Sequence, residues 1–100
     1  MSNFVYLDVE LKLRDDTSAV LTSAYFQGSI ESSLLDFFGE IGGQTELELI
    51  EFDVAKKRGI LKVPKEYTPQ TRAAITLIGR FQEIPCHFAV LKASEKPIEL

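Results

Sequence analysis

From Phe4 to Leu13 the chain alternates, with Val5, Leu7, Val9, Leu11 and Leu13 on one side and Phe4, Tyr6, Asp8, Glu10 and Lys12 on the other. A period of two is the mark of a strand with one buried face. Further on the period changes. Between Thr22 and Gly43, the residues Phe26, Ile30, Leu34, Phe37, Phe38 and Ile41 fall within an arc of roughly 120° on a helical wheel, which predicts one long helix with a single apolar stripe. Thr22 or Ser23 can cap its first amides, and Gly39, Gly42 and Gly43 permit the positive φ that stops it. Gly28 lies opposite the stripe and weakens the helix by up to roughly 1 kcal/mol without emptying the core. Polar residues Arg14 to Ser18 lead into it, and Ala19-Val20-Leu21 reads equally as a first helical turn or a packed loop.

Leu47 to Val54 and Ile60 to Val63 are β-prone and separated by Ala55-Lys56-Lys57-Arg58-Gly59, which predicts a hairpin with a basic tip. Pro64 closes it. Thr68-Pro69 then starts a second helix, with the Thr as cap and the proline at the first helical position. That helix is expected to run to about Gly79 or Phe81, with Ala74, Leu77, Ile78 and Phe81 on one face. Gln82 to Pro85 turns into Cys86 to Ala93, a strand apolar on both sides. The order strand, helix, strand, strand, helix, strand predicts an α+β, ferredoxin-like βαββαβ two-layer sandwich, with two helices on one face of an antiparallel sheet and the other face open. Residues 1–93 form this single domain and residues 94–100 a C-terminal tail.

Composition narrows the function. At 45% hydrophobic residues the chain can form a real core, and a net charge of -4 argues against coating duplex nucleic acid unaided. The single cysteine, Cys86, excludes an internal disulfide framework and fits a reducing, intracellular compartment. The amino terminus lacks the basic start and apolar run of a signal peptide, and no apolar segment is long enough to cross a bilayer.

The candidate chemistry mostly dissolves on inspection. Cys86 and His87 are adjacent on a strand, so they point to opposite faces and cannot act as a nucleophile and base. One His and one Cys cannot furnish a zinc site, and Asp15, Asp16, Asp36 and Asp53 are scattered over loop, helix and strand end. The run Gly39 to Gly43 follows a helix where a phosphate loop would precede one. An acylphosphatase-like enzyme of this fold would need a cationic anion loop after the first strand, where this chain has Arg14 followed at once by Asp15 and Asp16. Lys57-Arg58-Gly59-Ile60-Leu61 opens like an RNA-recognition signature, but Ile60 and Leu61 offer no ring for a base to stack on. No catalytic, metal or cofactor site is expected. Alternation turns Phe4, Tyr6 and Ile60 outward, and one of the two sets of the last strand, that of Phe88 or that of His87, must join them. Phe4, Tyr6, Ile60 and Phe88 are therefore the expected protein-binding anchors. Lys56, Lys57 and Arg58 are the expected RNA contacts.

Leu35 to Glu40, Gly59 to Val63, and Leu77 to Phe81 followed by Cys86 to Val90 together resemble a known family. It is the small α/β subunit family of ribonuclease P and ribonuclease MRP, which groups the Pop-five and fourteen-kilodalton subunits. The resemblance is nearest to the fourteen-kilodalton branch, through Tyr6 to Leu11, the Phe-Gly-Glu helix end, and Thr76 to Gly79 with Cys86 and Phe88 beyond. The chain departs from the Pop-five branch after the last strand, where Ser94 is followed by Glu95-Lys96-Pro97 and no Ser-Gly-Thr type run occurs. The resemblance implies a noncatalytic subunit of a nuclear or nucleolar ribonucleoprotein that supports 5′ maturation of precursor tRNA. Its partners would be other protein subunits and, directly or through them, the RNA component. A small-ligand or regulatory module of the same fold is the alternative, with the acylphosphatase-like enzyme behind it.

Overall fold

The computed structural model describes residues 3–14, 20–43 and 47–100, with the backbone alone at 40–43. The alternating stretch forms β1 (Phe4–Leu13), and the hairpin strands are β2 (Glu48–Asp53) and β3 (Arg58–Pro64). The sheet is completed by β4 (Arg80–Phe81) and β5 (Ile84–Ser94), in the order β2-β3-β1-β5-β4 with every pair antiparallel. Helices α1 (Ser23–Gly43) and α2 (Thr68–Leu77) cover one face. This is the ferredoxin-like arrangement with a short extra strand at one edge.

β1 is central, and its inward residues Val5, Leu7, Val9 and Leu11 are buried against Phe26, Ile30 and Leu34 of α1. Phe26 is the hub, its ring lying 5.2 Å from that of Phe52 and 5.5 Å from that of Phe88. Such an approach requires a glycine beneath it. A Cβ at Gly59 would sit 2.9 Å from Phe26 Cε1 and 2.8 Å from Leu49 Cδ1, closer than ordinary contact allows. Thr22 Oγ1 accepts the Tyr25 amide at 3.2 Å and so caps α1. Gly39, at φ 71 and ψ -161, breaks the helical path and bends α1 there. The backbone at Ile41, Gly42 and Gly43 is still part of α1, so the helix is not stopped before Gly43; the Ile41 side chain, Asp15 and Asp16 lie outside the described residues.

Three helix expectations are corrected. Phe37 and Phe38 are exposed, not core, in the turn that precedes the break in α1 at Gly39. α2 ends at Leu77, since Ile78 turns extended (φ -72, ψ 115). Its buried face is consequently Thr71, Ala74 and Ile75, with Leu77 exposed, and Phe81 enters the core from β4. Thr68 is already helical, preceded by a 3-10 turn (Lys65–Tyr67), so Tyr67 takes the cap position and the Thr68 hydroxyl caps nothing. β4 and β5 are joined by Gln82 and Glu83, both with positive φ (52 and 69), the two-residue turn that matches strand twist. Neither residue is suited to that backbone, and Gln82 offsets the strain by clasping Val20: its Nε2 donates to the Val20 carbonyl, and its Oε1 accepts the Val20 amide at 2.8 Å.

The second face of the sheet is only partly open. From Ser94, paired with Tyr6 on β1, the chain returns to β2, where the Leu100 amide donates to Glu51 Oε2 at 3.2 Å. Six residues reach about 20 Å when extended, enough for three inter-strand steps of about 4.8 Å. Residues 95–100 thus pass over β1 and β3, tied by a Lys65–Glu95 ion pair near the start. Lys65, by its hydrogen bond and its charge, holds the Glu95 carboxyl below its ordinary value. A depressed carboxyl contributes its stabilisation above the unfolded value and loses it as the pH falls through the folded one. Acidification through that window is expected to loosen the segment while the sheet stays folded, seen as a change in the Ile60 methyl signals ahead of global unfolding. No such change would mean that Glu95 contributes nothing to its docking.

Candidate partner-docking surfaces

The structure separates the residues expected to act together. Phe4 and Tyr6 do lie on the outer face, Phe4 exposed beneath Lys62, whose Nζ is 4.3 Å from the ring centroid, and Tyr6 half-buried. Ile60 is on the same face but only 1% exposed, because residues 95–100 return across it. Phe88 is fully buried on the opposite face: Leu11 pairs with Phe88, so β5 follows the parity of the inward β1 residues. His87, Ala89 and Leu91 are the outward set. Neither Ile60 nor Phe88 is available as a surface anchor.

At the hairpin tip Lys56 is exposed and Lys57 half-buried, while Arg58 turns back onto the sheet. Its Nε donates to Asp8 Oδ1 at 3.2 Å, and Nη2 is paired with Oδ2 of the same carboxylate. Asp8 is buried, so this bidentate pair satisfies a carboxylate that would otherwise be costly to enclose. The three tip cations are therefore two on the surface and one committed to the fold. Cys86 packs towards the core and burial pushes its thiol upward, whereas His87 faces out. Among the described residues, no three of His, Cys, Asp and Glu converge as metal ligands.

Exposed apolar side chains gather instead on the helix layer. Tyr25, Phe37 and Leu77 line an open groove of about 540 Å³ between α1 and the end of α2, whose lining also includes Gly28, Ser32 and Arg80. One wall is closed by a buried cross-helix bond, Ser33 Oγ donating to the Ala74 carbonyl at 2.7 Å. The apolar stripe does not reveal this groove, because Tyr25 lies off its arc. The available signal was a lone aromatic in an otherwise small row, Tyr25, Gly28, Ser29 and Ser32. A second, shallower depression of about 320 Å³ lies among Lys12, Arg14, Pro85 and His87 at the far end of the sheet.

Across this fold, residues 5–95 match the family model described as Rpp14/Pop5. The chain belongs to the Rpp14/Pop5 family. Two curated relatives have the same name, ribonuclease P protein subunit p14. The mouse protein is 26% identical over 93% of this chain and 75% of its own length, and the human protein 25% identical over 93% and 74%. A chain of the yeast ribonuclease MRP structure superposes with a TM-score of 0.84, covering 100% of this chain and 81% of its own. At 14% identity that likeness speaks for the fold alone. The family match includes all the sheet strands and both helices, so the groove on the helix layer and the depression at the sheet end both lie inside the Rpp14/Pop5 domain.

Proposed function

We propose that this chain is a noncatalytic protein subunit of ribonuclease P, or of the related ribonuclease MRP, and supports 5′ maturation of precursor tRNA by joining other subunits to the particle. The observation that carries this reading is the family match over residues 5–95, together with relatives named as ribonuclease P subunits that align with 93% of the chain. A nuclear, nucleolar location goes with it. Protein partners dock on the helix layer around Tyr25, Phe37 and Leu77, where the exposed apolar side chains concentrate. Phe4 and Tyr6 are a secondary contact, and Lys56 and Lys57 touch RNA. Depleting the protein from cells should leave precursor tRNA with its 5′ leader attached, and the tagged chain should co-purify with a discrete catalytic RNA. Normal leader removal after complete depletion would refute the reading.

One observation favours the acylphosphatase-like alternative: Arg14 lines a shallow depression together with Lys12. The loop that such an enzyme needs next, residues 15–19, lies outside the described residues. Purified protein that hydrolyses an acyl phosphate, and loses that activity on Arg14→Gln, would establish the enzyme reading over the noncatalytic one.

A further inference from the structure

Ile60 is an apolar residue buried on the side of the sheet away from the helices. It is 1% exposed, yet it stands apart from the core cluster that Val5, Leu7 and Phe26 share. On the outer face it lies between Asp8 of β1 and Glu51 of β2, its direct partners on the two flanking strands. The Leu100 amide donates to Glu51 Oε2 at 3.2 Å, which places Leu100 on the row of Ile60. The cover of this residue is therefore the returning segment, not the helix layer.

Residues 95–100 hold that position lightly. They form no strand or helix, and the Lys96 amide turns back to Ser94 Oγ at 3.0 Å as the chain leaves β5. Pro97 has no amide to offer the sheet. Ile98 and Leu100 are half-buried, while Glu95, Lys96, Pro97 and Glu99 are exposed. The Lys65–Glu95 ion pair joins two side chains that are each more than half exposed, a contact of little strength. The ladders of β1 with β3 and β5, by contrast, run along a buried core. A segment held by so few contacts lies at the low end of local stability and opens while the sheet stays folded.

We propose that residues 95–100 are a displaceable strap over a docking seat for an extended segment of a partner protein. The strap itself shows the chemistry of its replacement. It gives an acid, Glu95, to Lys65, two aliphatic side chains, Ile98 and Leu100, to the ground around Ile60 and the half-buried Tyr6, and a backbone amide to Glu51. A partner segment with an acid followed at the same spacings by two aliphatic residues fits the same seat, and it enters only as the strap leaves. Phe4, 37% exposed beneath Lys62, extends the apolar ground beyond the strap. Until a partner arrives the strap keeps Ile60 out of water, and as a tethered competitor it sets the threshold that the partner must exceed. The inference rests on the reading that the chain assembles with other protein subunits, and adds to it a seat for one of them and the device that guards it.

The probe is a capped synthetic peptide with the sequence of residues 94–100, titrated into the full chain while the methyl signals of Ile60 are followed by NMR. In Ile98→Glu the strap should lift: the Ile60 signals shift, while the Leu7 and Leu61 amides keep their slow hydrogen exchange. A strap closed about nine-tenths of the time leaves the seat free for about one-tenth, so the peptide should bind the lifted variant about tenfold more tightly than the parent. Glu95→Lys removes the strap's acid but leaves Lys65 for the peptide, and should give a smaller gain in the same direction, which tells a lifted strap from a loosened fold. Unchanged Ile60 signals in Ile98→Glu would overturn the proposal. So would equal affinities for parent and lifted variant, no binding to the lifted variant, or equal binding of a peptide whose Ile and Leu are replaced by Ser. Ile60 signals of the parent that move with protein concentration would assign the seat to a second copy of this chain instead. All of this is measured on the isolated chain: failure here with defective leader removal after depletion overturns the strap alone, and a releasable seat with normal leader removal overturns the subunit reading alone.

Discussion

Phe26→Ala is expected to destabilise the fold by about 3–5 kcal/mol, a large share of the roughly 5–15 kcal/mol that holds together a typical domain. The ring is fully buried and touches both Phe52 and Phe88, so its removal opens a cavity where α1 meets β2, β3 and β5. The surroundings cannot close it cheaply, because Gly59 already lets the sheet backbone approach as near as a backbone can. Leu34→Ala, at the other end of the buried stripe, should cost about 2–5 kcal/mol. Phe38→Ala is the comparison and should lose far less than Phe26→Ala, since that side chain is 38% exposed where Phe26 is fully buried. Urea unfolding of the three variants would decide it. Equal losses for Phe26 and Phe38 would mean that the inward face of α1 is misassigned.

Tyr25→Glu combined with Phe37→Glu should abolish co-purification with other protein subunits while leaving the urea midpoint nearly unchanged. Both side chains are more than half exposed, so the fold has little to lose, while a partner seated in the groove would have to bury two unpaired carboxylates. Tyr6→Glu should weaken association less. Ile60→Glu is expected to unfold the protein or release residues 95–100, because that side chain is enclosed. If the Tyr25/Phe37 variant assembles with full affinity, the groove is not the docking surface and the sheet side must be.

What could be read from the sequence was whatever depends on local period. β1 and the inward set Phe26, Ile30 and Leu34 follow from alternation and from the 3.6-residue repeat, and their burial needs no knowledge of the rest of the chain. Phe37 obeys the same repeat and is exposed, because a repeat says which residues share a stripe and not how far along the helix that stripe is covered. The parity of β5 was ambiguous for a related reason. Its residues are apolar on both sides, and only the pairing of Leu11 with Phe88 sends one set inward. The covered Ile60 had no sequence signal at all. Pro97, Ile98 and Leu100 look like an ordinary tail until Glu51 receives the Leu100 amide. Asp8 was correctly turned outward by alternation, yet its partner Arg58 is fifty residues away and is found only once the β1–β3 register is known.

The central place of β1 also sets a timetable during protein synthesis. β1 emerges first, but Leu13 must wait for Cys86 and Tyr6 for Ser94 before the strand has a neighbour on its β5 side. At about 5–20 residues per second, the nascent chain carries Val5, Leu7, Val9 and Leu11 without their full cover for several seconds. A ribosome paused in the second half of the message would prolong that interval and present an aggregation-prone strand to the cytosol. Slower synthesis after α1, which leaves every contact in the finished molecule untouched, is expected to lower the yield of folded protein.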